Sequence, residues 1–175
     1  MQSLAMTIGD IARSVGFATL VVVPLLVSLP FAQNDTLSKK KEPGTMHANG
    51  PFDVKVTPQD DKSDDPLLNR MTLDKQYHGD LEATGQGQML TAGTSVKGSG
   101  AYVAIEKVSG TLKGRTGTFV LQHSGTMNNN VPQLAINIVP DSGTGQLAGI
   151  AGNMNIRIAA DGKHSYEMEY TIPAE

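Results

Sequence analysis

From about residue 52 onward the chain alternates between apolar and polar side chains with a period of two, the pattern of strands buried on one face. It begins with Phe52, Val54 and Val56 set against Asp53 and Lys55. Further strands are predicted over 70–77, 80–91, 100–112, 115–127, 132–139, 153–159 and 164–172. In the sixth of these eight, Leu134, Ile136 and Ile138 oppose Gln133, Ala135 and Asn137. In the last two, Met154, Ile156 and Ile158 oppose Asn155 and Arg157, and Tyr166, Met168 and Tyr170 oppose Ser165, Glu167 and Glu169. Segment 142–152 is too rich in glycine for a long helix and reads as a turn or one short strand around Leu147.

About eight strands, each with one apolar face and joined by short turns, must have those faces enclosed. A meander of that size closes most naturally into a single antiparallel barrel, which also removes exposed sheet edges. A sandwich satisfies the same alternation. The expected fold class is therefore all-β, an eight-stranded antiparallel barrel following a leader that is not part of it.

The hairpin 100–127 carries the most chemistry. A two-residue loop at Lys113-Gly114 sets Leu112 opposite Arg115, Val108 opposite Phe119, Glu106 opposite Leu121 and Ala104 opposite His123. One face then collects Tyr102, Glu106, Val108, Leu112, Phe119, Leu121, His123 and Met127, and the other is polar. Glu106 and His123 become inward diagonal neighbours, roughly 7 Å apart at the backbone. A three-residue loop would instead turn Val103 and Ile105 inward, with His123 inward in either case. An inward carboxylate needs a partner or a proton, and His123 is the partner expected to keep it charged.

Length and composition narrow the picture further. The chain has 175 residues, enough for one domain with a sizeable core. Its 19 glycines suit tight turns, and its lack of cysteine excludes disulfides, thiolate catalysis and thiolate metal sites. A net charge of −3 supplies no basic footprint for nucleic acid. Before the barrel, residues 1–33 read as a secretory signal: Arg13 precedes an apolar stretch over 15–29 that is too short for a stable membrane span. Export to the periplasm or beyond is the expectation. Lys39-Lys40-Lys41 opposes it, and a translation start at Met46 would leave the protein in the cytoplasm. Residues 34–50 read as a flexible linker and 51–175 as the barrel domain.

Other motifs are weaker. The acidic loop 58–66 lacks the glycine and distal glutamate of a calcium loop. Gly143-x-Gly145-x-x-x-Gly149 has no following helix to supply a phosphate site and reads as a turn. His47, His78, His123 and His164 are dispersed, without zinc spacing, and no metal or cofactor is expected. Tyr77, Tyr166 and Tyr170 are expected to pack the core with their hydroxyls near an opening.

The phrases beginning at Met71 (MTLDKQYHGDLEAT), Gly100 (GAYVAIE), Val120 (VLQHSGTM) and Asp141 (DSGTGQLAG) resemble a bacterial domain family of unknown function. That family is similar in fold to the plant allene oxide cyclase barrel, itself related to lipocalin-like barrels. The resemblance spans 52–172 and implies an eight-stranded barrel with an interior cavity, but no activity. Three functions stay open. The first is a non-enzymatic barrel binding a small, largely apolar ligand, with Tyr102, Glu106, Phe119, Leu121, His123, Met127, Ile136, Ile156, Tyr166 and Tyr170 as candidate lining. The second is a cyclase or isomerase using Glu106 and His123 as acid–base groups on a lipid-derived substrate. The third is a filled barrel working through its outer surface or as an oligomer, a homodimer being the simplest.

Overall fold

A computed structural model describes residues 44–60 and 65–173. Eight antiparallel strands close into one barrel in strict sequence order. They are β1 (Met46–Pro58), β2 (Leu68–Tyr77), β3 (Leu81–Gly93), β4 (Gly100–Leu112), β5 (Arg115–Asn128), β6 (Val131–Ile138), β7 (Ala151–Ile158) and β8 (His164–Thr171). Each pairs with its chain neighbours, and β1 closes the circle by pairing with β8. The seam between β6 and β7 is thin, with Asn137 opposite Asn153 as its bridge.

The inward residues follow the alternation that predicted them. Tyr77, Leu81, Val108, Leu112, Phe119, Leu121, Met154, Tyr166 and Met168 are all buried in one continuous core. One end of the barrel is plugged. Between β6 and β7 a single 3-10 turn, Gly145–Leu147, folds under the barrel and inserts Leu147, with Ile150 beside it, both about 1% exposed. Gly117 on β5 is the notch that admits this turn, because a side chain there would strike the Thr144 carbonyl and Leu147. Thr118 and Thr144 tie the two segments together at 2.8 Å. The glycine run 143–149 is thus a plug, consistent with its reading as a turn.

The β4–β5 hairpin has the two-residue loop. Lys113 and Gly114 both take positive φ, 46° and 83°, which matches the right-handed twist of the flanking strands. Ala104 accordingly faces His123 and Glu106 faces Leu121. The alternative register is not adopted: Val103 and Ile105 point outward, about half exposed.

Two expectations need correction. The barrel starts at Met46, so residues 46–50 belong to the wall and not to the linker assigned over 34–50. They pair with 166–170 of β8, with Met46 and Ala48 turned inward. Met-His-Ala-Asn-Gly looks like linker because its inward positions hold only Met46, the small Ala48 and Gly50, yet a small side chain is what fits beside Met168. The tyrosine hydroxyls are also placed differently: those of Tyr77 and Tyr166 are hydrogen-bonded inside the wall, not set at an opening. The signal assigned to 1–33 and the linker up to residue 43 lie outside the described residues.

Candidate functional site

The strand register brings four ionisable side chains together inside the barrel. On β2, Leu73, Lys75 and Tyr77 share the inward face; Lys75 lies opposite Gly85 of β3, and Tyr77 opposite Ala83. On β4, Glu106 lies opposite Gly87, and β5 contributes His123 two pairs further along. Gly85 makes the arrangement possible. A methyl group there would occupy the position of Glu106 Oε1 and press against the Tyr77 ring. The missing side chain is the pocket into which the carboxylate folds.

Glu106 is fully buried, and three groups converge on it. The Lys75 ammonium donates to Oε2 at 2.7 Å, and the Tyr77 hydroxyl donates to Oε1 at 2.8 Å. His123 Nε2 stands 3.1 Å from Oε2 but off the line of a directed hydrogen bond, so this buried nitrogen has no aligned partner. Lys75, only 8% exposed, also donates to the Tyr77 oxygen at 3.1 Å. Its charge lies 5.2 Å from the Phe52 ring centre and 5.5 Å from that of Tyr77. Tyr77 is held in turn by Phe52 and, edge-on, by Tyr166.

The electrostatics follow from this crowding. Burial alone would push the Glu106 carboxyl up; His123, the Lys75 charge and hydrogen bond and the Tyr77 hydroxyl outweigh it and hold the group below the usual carboxylate value. The Tyr77 hydroxyl moves the other way, raised far above 10 by burial and by the neighbouring carboxylate. Tyr166 is pushed up to about 12, chiefly by burial, with its oxygen bound between the Leu81 amide and the His78 carbonyl. The cluster is therefore a charged Glu106–Lys75 pair, capped by a neutral phenol and flanked by an imidazole.

Beyond the cluster, away from the plug, the inward residues change character. Val56, Met127, Leu134 and Ile158 occupy inward register positions yet are 44%, 41%, 39% and 66% exposed. Met71, Met89, Tyr102 and Ile156 are half-buried among them. The Tyr102 ring lies over Gly125, where any side chain would collide with it. This is an apolar rim around one barrel end, and Leu73, Ala104, His123 and Ile136 form the layer beneath.

The candidate lining residues thus separate into two groups. Tyr102, Met127 and Ile156 belong to the rim, with Glu106 and His123 deeper. Phe119, Leu121, Ile136, Tyr166 and Tyr170 are buried in the packed core. Sequence reasoning missed Lys75 and Tyr77, although a signal was present. Leu73, Lys75 and Tyr77 alternate with Thr72, Asp74 and Gln76, which places a lysine on the apolar face. Among the described residues no three histidine, aspartate or glutamate side chains gather as a metal site. No helix among them is long and apolar enough to cross a membrane.

The family model described as "Protein of unknown function (DUF3224)" matches residues 48–170, spanning all eight strands. The chain belongs to the DUF3224 family. Among solved structures it is similar to a DUF3224 protein of unknown function from Shewanella oneidensis MR-1, with 47% identity and a TM-score of 0.70. That likeness covers 75% of this chain and 100% of the other. No curated protein matches it. The DUF3224 match begins two residues after the start of β1, in keeping with a wall that starts at Met46.

Proposed function

We propose that this DUF3224 barrel binds a small, largely apolar molecule at its open end, seated on the rim and reaching toward His123. One observation carries the reading: Val56, Met127, Leu134 and Ile158 point into the barrel and are nevertheless about two-fifths to two-thirds exposed. Inward apolar side chains are normally covered, and small barrels that hold a ligand place it at such a mouth. The plug of Leu147 and Ile150 closes the other end, so entry is from one side.

The Glu106 cluster is the polar floor of this mouth. Acid–base chemistry is the weaker reading, because Oε1 is taken by Tyr77 and Oε2 by Lys75 and His123, leaving the carboxylate no free face for a substrate proton. Of the four groups His123 lies nearest the rim, so it is the one set directly beneath a bound molecule.

The test uses a neutral apolar dye, Nile red, whose fluorescence rises on leaving water. The wild-type protein is expected to bind it saturably, and M127E/L134E, which charges the rim without touching the core, is expected to abolish the signal. Equal binding by wild type and M127E/L134E would overturn the proposal.

A further inference from the structure

The outer wall of the barrel has two unlike halves. From β7 through β8 and β1 to β2 it is ordinary solvated surface, with Asp53, Lys55, Asp74, Arg157, Glu167 and Glu169 exposed and Arg157 paired to Glu167 at 3.1 Å. On β3 to β6 the outward positions within 88–92, 101–105, 122–126 and 133–137 form three adjacent ladder rows across four strands. Not one of them carries a charge, in a chain where 18% of residues are charged. At their centre lie Leu90, Val103 and Ile105, which are 56%, 53% and 54% exposed, with Leu68 (51%) at the margin. Leu90 and Val103 are direct cross-strand partners, so the aliphatic surface is continuous.

We propose that this face is a homodimer interface, two copies meeting wall to wall across β3, β4 and β5 about a two-fold axis near Val103 and Ile105. Four arguments favour a second copy as the occupant. A closed barrel offers no free strand edge, so another chain must use a face. Every copy carries the same net charge of −3, and an uncharged face is where two such copies meet with least repulsion. Loss of charge from the centre of the contact, with a polar margin around it, is the composition of an interface core, and Gln86, Gln88 and Gln122 supply the margin.

The exposed area is also of the right kind. The four aliphatic residues expose roughly 400 Å², within the range of a functional patch on one molecule. Strand spacing and rise give the three-row face a span of roughly 20 by 20 Å. That footprint of roughly 400 Å² is about half of the ~800 Å² each partner contributes to a standard interface, so the polar margin supplies the rest of the contact. An isologous contact needs one self-complementary patch, and this wall supplies it.

Sedimentation velocity on the full chain tests the proposal. The wild type is expected to sediment as a dimer, and V103E/I105E as a folded monomer with an unchanged circular-dichroism spectrum, since both side chains already face outward. Its dissociation constant should rise at least about a hundredfold, because four carboxylates would meet at the axis. A control pair on the charged half, D53N/K55Q, should stay dimeric. The absence of cysteine permits a second measurement: I105C should cross-link to itself with a short bismaleimide, and D53C should not. A monomeric wild type, a V103E/I105E variant that remains dimeric, or a wild type that binds neutral lipid vesicles through this face while staying monomeric would overturn it.

Discussion

Replacing Glu106 by glutamine is the sharpest perturbation of the buried cluster. Glutamine keeps the shape and can still accept from Tyr77, but it leaves the Lys75 ammonium, 8% exposed, without a counter-charge. Breaking one side of a buried ion pair costs about 3–5 kcal/mol, because the remaining charge cannot recover its water. Lys75→Met should cost a similar amount by stranding the fully buried carboxylate with only Tyr77 and His123. The double variant removes both charges together and should be less destabilised than the sum of the singles by about 2–4 kcal/mol. Urea titrations of the four proteins measure this, with an unchanged dependence on denaturant showing that the unfolded state is the same in each. Single losses below about 1 kcal/mol, or a strictly additive cycle, would refute the view that Glu106 and Lys75 form one charged unit.

Acid should act through the same carboxylate. Its folded-state value lies below the ordinary one. The stabilisation it contributes is therefore complete above the unfolded value of about 4.3 and drains away as pH falls through the lower folded value. The stability difference between wild type and E106Q should accordingly narrow from about pH 5 to about pH 3 in urea titrations run across that range. All four tyrosines are raised, Tyr77 far beyond 10, Tyr166 to about 12, and Tyr102 and Tyr170 more mildly, so absorbance of the native protein near the ordinary tyrosine value should show little tyrosinate until unfolding releases the rest. Gly85→Ala, which intrudes on Glu106 Oε1, should cost about 2–3 kcal/mol, the worth of a charge-assisted hydrogen bond, and should lower the titration of Tyr77.

Much of this barrel can be read from side-chain alternation, because a closed sheet with one buried face imposes period two on nearly every strand. The β4–β5 register is legible for a further reason. Gly114 is the residue type a tight turn calls for, and once the loop has two residues, Ala104 must face His123. The start of β1 is less legible. Its inward residues there are Met46 and the small Ala48, and the strand is specified by its partner β8 and not by its own hydrophobicity. The site was half visible. Glu106 and His123 stood out as ionisable residues on an apolar face, whereas Lys75 escaped because an isolated lysine is ordinarily solvent-facing. Gly85 escaped for a different reason: its role is the space left for a carboxylate from another strand, and no local pattern encodes that space.

A ligand seated at the apolar mouth would be reported most directly by the methionine methyl groups. Met71, Met89 and Met127 lie at the mouth, whereas Met46, Met154 and Met168 lie deeper or toward the plugged end. In a 13C-methyl methionine spectrum titrated with Nile red, the Met71, Met89 and Met127 resonances should shift saturably, with those of Met154 and Met168 nearly unmoved. Shifts confined to other methionines, or none in the mouth set while the dye binds, would contradict it.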